Sequence, residues 1–206
     1  MTRTRGLLVV GLMVVLAVIT AVLGHQVPKS SSSSSPSPPS AALPSDAHGG
    51  EHSGALGEAD GLVPNGVTVF DDTIPAVAKL DPDLLQALRR AASAAEHDGV
   101  TFYVNSGWRS KAYQNQLLRQ AVATYGSANE AARWVATAAT SPHVTGDAVD
   151  LGRSDATAWL SRHGADYGLC QIYRNEAWHY ELRTSAIARG CPPMYADPTE
   201  DPRMQQ

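Results

Sequence analysis

The chain has 206 residues, of which 43% are hydrophobic, and a formal net charge of −4. That balance carries no basic footprint of the kind that binds phosphate backbones, so nucleic acid is set aside as a partner. The first sixty or so residues read as membrane segment and linker, which leaves about 145 for folding, near the usual size of one compact domain.

Arg3 and Arg5 form a short basic head before an uncharged apolar run from Leu7 to Leu23. This is an export signal. The run is at the lower edge of what spans a bilayer. Gly24-His25-Gln26 lacks a small-x-small cleavage site, and the two arginines favour an N-terminus held inside. A single-pass anchor over residues 1–24 is therefore expected, with an extracytoplasmic domain at the cell membrane; cleavage would make the protein secreted. Residues 25–61 form a Ser/Pro/Gly-rich linker, including the unbroken run Ser30 to Ser35, too polar to repay the entropy of ordering. His48-Gly-Gly-Glu51-His52 has the spacing of a metallopeptidase motif, but that motif needs a helix and two adjacent glycines in a linker will not make one.

The folded domain is expected over residues 62–206. Asp81-Pro82-Asp83 reads as a helix start with Asp81 as N-cap, followed by Leu84, Leu85, Leu88, Ala91, Ala92 and Ala95 at helical spacing, ending near Gly99. Val100 to Val104 alternates as a strand and delivers Ser106-Gly107-Trp108-Arg109 at its end. Lys111 to about Ala139 is helical, broken near Tyr125-Gly126-Ser127, with Leu117, Leu118, Val122, Trp134 and Val135 as core positions. Ala148 to Leu151 reads as a short strand. Asp155 to His163 reads as a helix that Gly164 closes in the left-handed conformation. Cys170 to Tyr173 and Trp178 to Leu182 read as strands joined by a tight turn at Arg174-Asn175. This order of elements predicts an α+β domain, a small antiparallel sheet flanked by helices. Cys170 and Cys191, an even pair in an exported chain, are better explained by one disulfide than by free thiols, and no local motif makes either a nucleophile.

The chemistry is concentrated in Ser141-Pro-His143-Val-Thr-Gly146-Asp-Ala148-Val-Asp150 and in Glu176-Ala-Trp178-His179. A hydrolytic zinc is held by three nitrogen or oxygen ligands and keeps a fourth position for water. His143, Asp150 and His179 supply that set for one ion, and Glu176 is the candidate general base. Glu176 and His179 are three apart and would point to opposite faces of a regular strand, so the strand must begin after Glu176 and a turn over residues 174–177 must bring both together. Gly146 allows the sharp path between His143 and Asp150. His97 and His163 are read as structural or solvated, and Asp147 is given no role. The four tryptophans are read as core, with Trp178 packed behind the metal. The lysines at 29, 79 and 111 have no serine three positions earlier, so the S-x-x-K motif of a serine nucleophile with a lysine partner is absent.

Three separated segments carry a family resemblance: Ser106-Gly107-Trp108-Arg109-Ser110 with Gln114, then Ser141-x-His143-x-x-Gly146-x-Ala148-x-Asp150, then Glu176-x-Trp178-His179. In joint order and spacing they resemble the VanY and VanX type D-alanyl-D-alanine carboxypeptidases and dipeptidases, whose fold is related to Hedgehog signalling domains. The resemblance spans roughly residues 69–182. It implies zinc on His143, Asp150 and His179, Glu176 as general base and Arg109 beside the substrate carbonyl or carboxylate. Ser106, Gln114 and Ser141 fall in the same motifs as substrate-binding positions. The implied substrate is a peptidoglycan stem peptide or its precursor, from which a terminal D-alanine is removed. A non-catalytic zinc-fold binding module is the alternative in another class. A dipeptidase, L,D-carboxypeptidase or endopeptidase cut is the alternative within the same chemistry. Tyr180-Glu181-Leu182 departs from the basic and aromatic residues expected after the last histidine.

Overall fold

The computed structural model describes residues Leu56–Gln205. The apolar run Leu7–Leu23, most of the linker and the His48–His52 cluster lie outside the described residues. Among the described residues no helix is long and apolar enough to cross a membrane.

Packing begins upstream of Leu62. A 3-10 turn at Glu58–Asp60 ends at Gly61, and Asp60 accepts hydrogen bonds from the backbone and hydroxyl of Ser110. Helix α1 (Pro75–Ala78) is one turn long, and α2 (Pro82–Glu96) is the main helix. Asp81 caps α2 by accepting from the amides of Asp83 and Leu84, and Pro82 occupies the first turn, where a missing N–H costs nothing. The buried face of α2 is Leu84, Ala87, Leu88, Ala91, Ala92 and Ala95. Beyond it, Gly99 takes φ +73° and the Val100 amide returns to Ala95 O. That closing bond uses the first residue of the expected strand, so β1 runs over Tyr103–Ser106 instead of starting at Val100.

Helices α3 (Lys111–Tyr125) and α4 (Ala128–Ala132) break where expected, at Gly126 with φ +80°, but α4 ends at Ala132, short of the expected Ala139. The core positions expected there are corrected: Leu117, Leu118, Val122 and Val135 are only half-buried, and Trp134 is 37% exposed. A one-turn helix α5 (Pro142–Thr145) leads to β2 (Ala148–Gly152), and α6 spans Ser154–His163. Gly164 is not the left-handed terminator. It stays right-handed, the chain continues as a 3-10 turn over Gly164–Tyr167, and Gly168 at φ +76° ends it. Strands β3 (Leu169–Gln171) and β4 (His179–Leu182) follow, then the one-turn α7 (Ala186–Arg189) and two 3-10 turns at Pro198–Glu200 and Pro202–Gln205.

The four strands form one antiparallel sheet in the order β1-β2-β4-β3. Val149 pairs with Tyr180 on one face, and these join Leu151, Phe102, Val104, Trp159, Leu160 and the buried side of α2 in the main core. Asp150 pairs with His179 and Ala148 with Glu181 on the other face. A disulfide joins Cys170 to Cys191, with the Cα atoms 5.6 Å apart. It ties β3 to the segment after α7, which continues to the C-terminus.

The expected tight turn at Arg174-Asn175 is a longer excursion from Ile172 to Trp178. The amides of Arg174 and Asn175 donate to Tyr195 O and Ala196 O, and the Tyr195 amide donates to Ile172 O. The C-terminal segment thus holds this loop open by a pairing that lies about twenty residues away in the sequence.

Candidate active site

Each side chain of the site is delivered by a different local device. Residues directly opposite in an antiparallel pair share a face, so the pairing of Asp150 with His179 sets their side chains together. Asp150 Oδ1 lies 3.2 Å from His179 Nδ1. His143 comes from α5, whose end at Gly146 needs φ +86°; a Cβ there would also stand 2.5 Å from Lys79 O. Two constraints therefore require glycine, one of conformation and one of space. His143 Nδ1 donates to Gly107 O at 2.9 Å, which turns Nε2 inward to 3.4 Å from Asp150 Oδ1. The Arg109 amide in turn donates to His143 O, so the 107–109 loop and α5 brace each other.

One ligand atom from each of His143, Asp150 and His179 lies within 4.8 Å of the other two. Tetrahedral zinc with bonds of about 2.0–2.1 Å sets its ligand atoms about 3.3 Å apart. The two measured histidine to aspartate separations match that spacing, and all three side chains are buried. The donor set, two imidazoles and a carboxylate, suits zinc as well as the geometry does.

Glu176 reaches the same point from the loop. The His179 amide donates to Glu176 O, closing a turn that puts both side chains on one side, with Glu176 Oε2 3.7 Å from His179 Nδ1. The turn satisfies the requirement that β4 start after Glu176. Burial pushes the Glu176 carboxyl up to about 7, against the opposing pull of His179. Burial also holds the His143 imidazole below its usual range, assisted by Arg109. Asp150 resists the same burial: His143, His179 and Arg109 keep it well below the ordinary carboxylate range. At His179 burial is outweighed by the contacts with Asp150 and Glu181, which raise the imidazole to about 9. The site thus combines an imidazole of lowered proton affinity, one of raised affinity, a carboxylate held below its ordinary range and a carboxyl raised towards neutrality.

Arg109 is held by its neighbours. Its Nε donates to Ser106 Oγ at 2.7 Å, one terminal nitrogen to Gln114 Oε1 at 3.0 Å and the other to Asp150 Oδ2 at 2.9 Å. A guanidinium has five N–H donors, so two remain for a substrate oxygen. Gln114, only 1% exposed, is itself fixed by donating to Ala136 O. Ser106 and Gln114 therefore act on the cleft through Arg109, while Gln114 and Ser141 also line it.

The cleft has a volume of about 300 Å³. Arg109, His143, Asp150, Glu176 and His179 give it a polar lining, and Leu117, Tyr125, Trp134 and Met204 an apolar one. Tyr125 and Trp134 stack with centroids 5.8 Å apart. Trp178 does not pack behind the metal position; it is 41% exposed and forms part of the cleft wall. The strand begins after it, so its side chain is free of the face that carries His179. Trp159 is core, packed edge-on against Phe102. His163 packs on Trp159, and His97 is exposed.

A family model described as VanY, D-alanyl-D-alanine carboxypeptidase, matches residues 77–185. The chain belongs to the VanY family. It is 28% identical over 127 residues to a D-alanyl-D-alanine carboxypeptidase of Enterococcus faecalis (strain ATCC 700802 / V583), a match covering 50% of this chain and 47% of the relative. The chain thus spans about half the length of the curated relative it matches. Among solved structures, VanYB in complex with D-alanine-D-alanine is similar at 26% identity over 54% of this chain and 78% of that one, with a TM-score of 0.49. The LdcB LD-carboxypeptidase is similar at 22% identity over 62% and 71%, also with a TM-score of 0.49. VanY-family membership makes this chain one of a carboxypeptidase family, and the matched segment contains Arg109, His143, Asp150, Glu176 and His179.

One group in the site was missed from sequence. Glu181 lies two positions after His179 on β4 and contacts its other ring nitrogen: Nε2 is 3.2 Å from Glu181 Oε1. The i, i+2 spacing on a strand was the available signal.

Proposed function

We propose that this chain is a zinc-dependent D,D-carboxypeptidase that removes the terminal D-alanine of peptidoglycan stem peptides or their precursors, held outside the cytoplasmic membrane by its N-terminal apolar segment. The observation that carries the reading is the convergence of His143 Nε2, Asp150 Oδ1 and His179 Nδ1 at zinc spacing, with Glu176 beside them and the unspent donors of Arg109 in the same cleft.

His143, Asp150 and His179 would hold the zinc, which would supply Lewis acidity and lower the pKa of a bound water. Glu176 takes the proton from the attacking water and returns it to the leaving amine. Its elevated pKa makes both transfers accessible near neutral pH. Arg109 offers two N–H donors to the substrate's carbonyl oxygen or terminal carboxylate. Ser106, Gln114 and Asp150 hold the guanidinium in place, so little rotamer freedom is lost on binding. The stacked Tyr125 and Trp134 in the cleft lining provide apolar surface for the rest of the peptide. Glu176 favours an enzyme over a binding module, since binding alone does not need a buried base next to the metal position.

The test is a synthetic stem pentapeptide incubated with zinc-loaded protein and followed by mass spectrometry. Loss of one alanine is expected. Release of a dipeptide, an internal cut, or cleavage only of a tetrapeptide substrate would overturn the D,D assignment.

A further inference from the structure

The carboxylate that departs from the expected pattern, Glu181, is almost fully buried at 1% exposure and has both oxygens engaged. Oε1 accepts from His179 Nε2 and from Arg203 at 3.2 Å each; Oε2 accepts from Arg183 and Arg203 at 2.7 Å each. The Arg203 contact is a two-bond fork, the geometry in which a guanidinium fixes a carboxylate most firmly. Arg203 is backed by Asp201, which is fully buried and also accepts from the Tyr173 hydroxyl at 3.0 Å. The Tyr173 ring lies 5.1 Å from the His179 ring. His179 is therefore flanked by Glu181 and Tyr173, and both are braced by Arg203 and Asp201 of the C-terminal segment, which also places Pro198 and Met204 on the cleft wall.

We infer that Glu181 and Arg203 are positioning residues for the metal ligand His179, which makes the C-terminal 3-10 turns a working part of the metal site. Glu181 Oε1 takes up the Nε2 N–H of His179, so that the ring is oriented with Nδ1 towards Asp150 and the metal position, where a bound ion would replace any proton on Nδ1. Arg203 and Arg183 hold that carboxylate in a single rotamer. Without the fork, Glu181 would be a buried anion with one remaining arginine, and the imidazole would lose the partner that selects its tautomer and ring orientation. This inference rests on the zinc reading given above.

The experiment compares wild type with Glu181→Ala, Arg203→Ala and Arg203→Lys, with Arg89→Ala as a remote surface ion-pair control. Two quantities are measured for each: the zinc dissociation constant by competition with a chromophoric chelator, and the melting temperature of the metal-free protein. Loss of this contact weakens zinc binding about 10- to 100-fold in Glu181→Ala and Arg203→Ala, with Arg203→Lys between them and wild type because an ammonium cannot form the fork. The Arg89→Ala control retains wild-type zinc affinity. If Arg203→Lys and Arg203→Ala fold and bind zinc as tightly as wild type, with only the metal-free melting temperature lowered, the network is structural and the inference is overturned. If wild type itself binds no zinc, the underlying metal reading fails, a result distinguishable from the previous one by the wild-type measurement alone.

Discussion

The two faces of the β2–β4 pair are made by the same backbone and the same alternation, yet they do opposite work. On one face Val149, Leu151 and Tyr180 are buried among aliphatic and aromatic side chains. On the other, Asp150, His179 and Glu181 are equally buried but polar, and each has partners. Burial costs the first face nothing and makes its contribution to stability. It costs the second face solvation of charge, and the return is a set of groups with altered proton affinities and fixed orientation. The loops that complete the site, 107–109, α5 and 172–178, are held against this second face by backbone hydrogen bonds, and Ile172 and Tyr173 of the last are also packed with Cys170 and Ala186 in a small cluster of their own.

The comparison is broken most completely by removing a ligand. His143→Ala should reduce zinc stoichiometry from about one to near zero and peptide hydrolysis to background. The metal-free fold should survive, because His143 contributes no residue to the main core. Metal content by atomic absorption together with circular dichroism checks this, and a fully active, zinc-loaded variant would remove His143 from the site. Glu176→Gln should be milder in binding and still severe in rate. Zinc affinity should stay within a few-fold of wild type, while turnover falls about 10²- to 10⁴-fold, the usual contribution of a general base. Undiminished turnover would take Glu176 out of the mechanism.

The opposite face is tested by Leu151→Ala, one residue from Asp150 but directed into the core. Stability should drop by about 2–5 kcal/mol, as for other buried leucine truncations. Zinc affinity of the folded protein should change little, since the side chain faces away from the metal position. Urea denaturation and chelator competition give the two numbers. A Leu151 variant that lost zinc as sharply as His143→Ala would mean that the faces are not separable.

The sequence made one of these faces easier to read than the other. Helix α2 carries its own start and stop, from Asp81 and Pro82 to Gly99, so it is legible locally. The candidate site is legible too, because the proposed ligands His143, Asp150 and His179, with Glu176, are residue types with few other reasons to recur in that order. What surrounds them depends on contacts between distant segments. Glu181 reads as a mere departure until Arg203, 22 residues on, is placed against it. The loop that carries Glu176 looks like a tight turn until Tyr195 and Ala196 pair with it. Trp134 and Trp178 have the composition of core residues but line an open cleft, and hydrophobicity alone cannot distinguish a cleft wall from a core. Gly164 and Gly168 are both suitable terminators, and the 3-10 turn between them decides in favour of the second.

The smallest predicted effect concerns acid stability and sharpens the contrast from the C-terminal side. Burial disfavours charge on Asp201, but the hydrogen bonds from Arg203 outweigh it and hold its carboxyl below the ordinary range; Asp197 behaves likewise, with Thr199 and Arg133 as its partners. An aspartate in the unfolded chain titrates near about 3.9. Between that value and the lower folded one, the unfolded state binds more protons, so stability decreases as pH falls. The contribution of both groups is fully present at neutral pH and is lost on acidification, beginning below about pH 5. Melting curves of the metal-free protein from pH 7 to 3 should therefore be flat at first and then decline. Asp201→Asn, which keeps an acceptor but cannot titrate, should make the decline shallower by a few degrees, about 3 °C for a domain of this size. The apolar face has no titratable carboxylate and cannot produce this slope. An Asp201→Asn curve parallel to wild type over the whole range would show that the acid sensitivity originates elsewhere than in the segment holding Arg203.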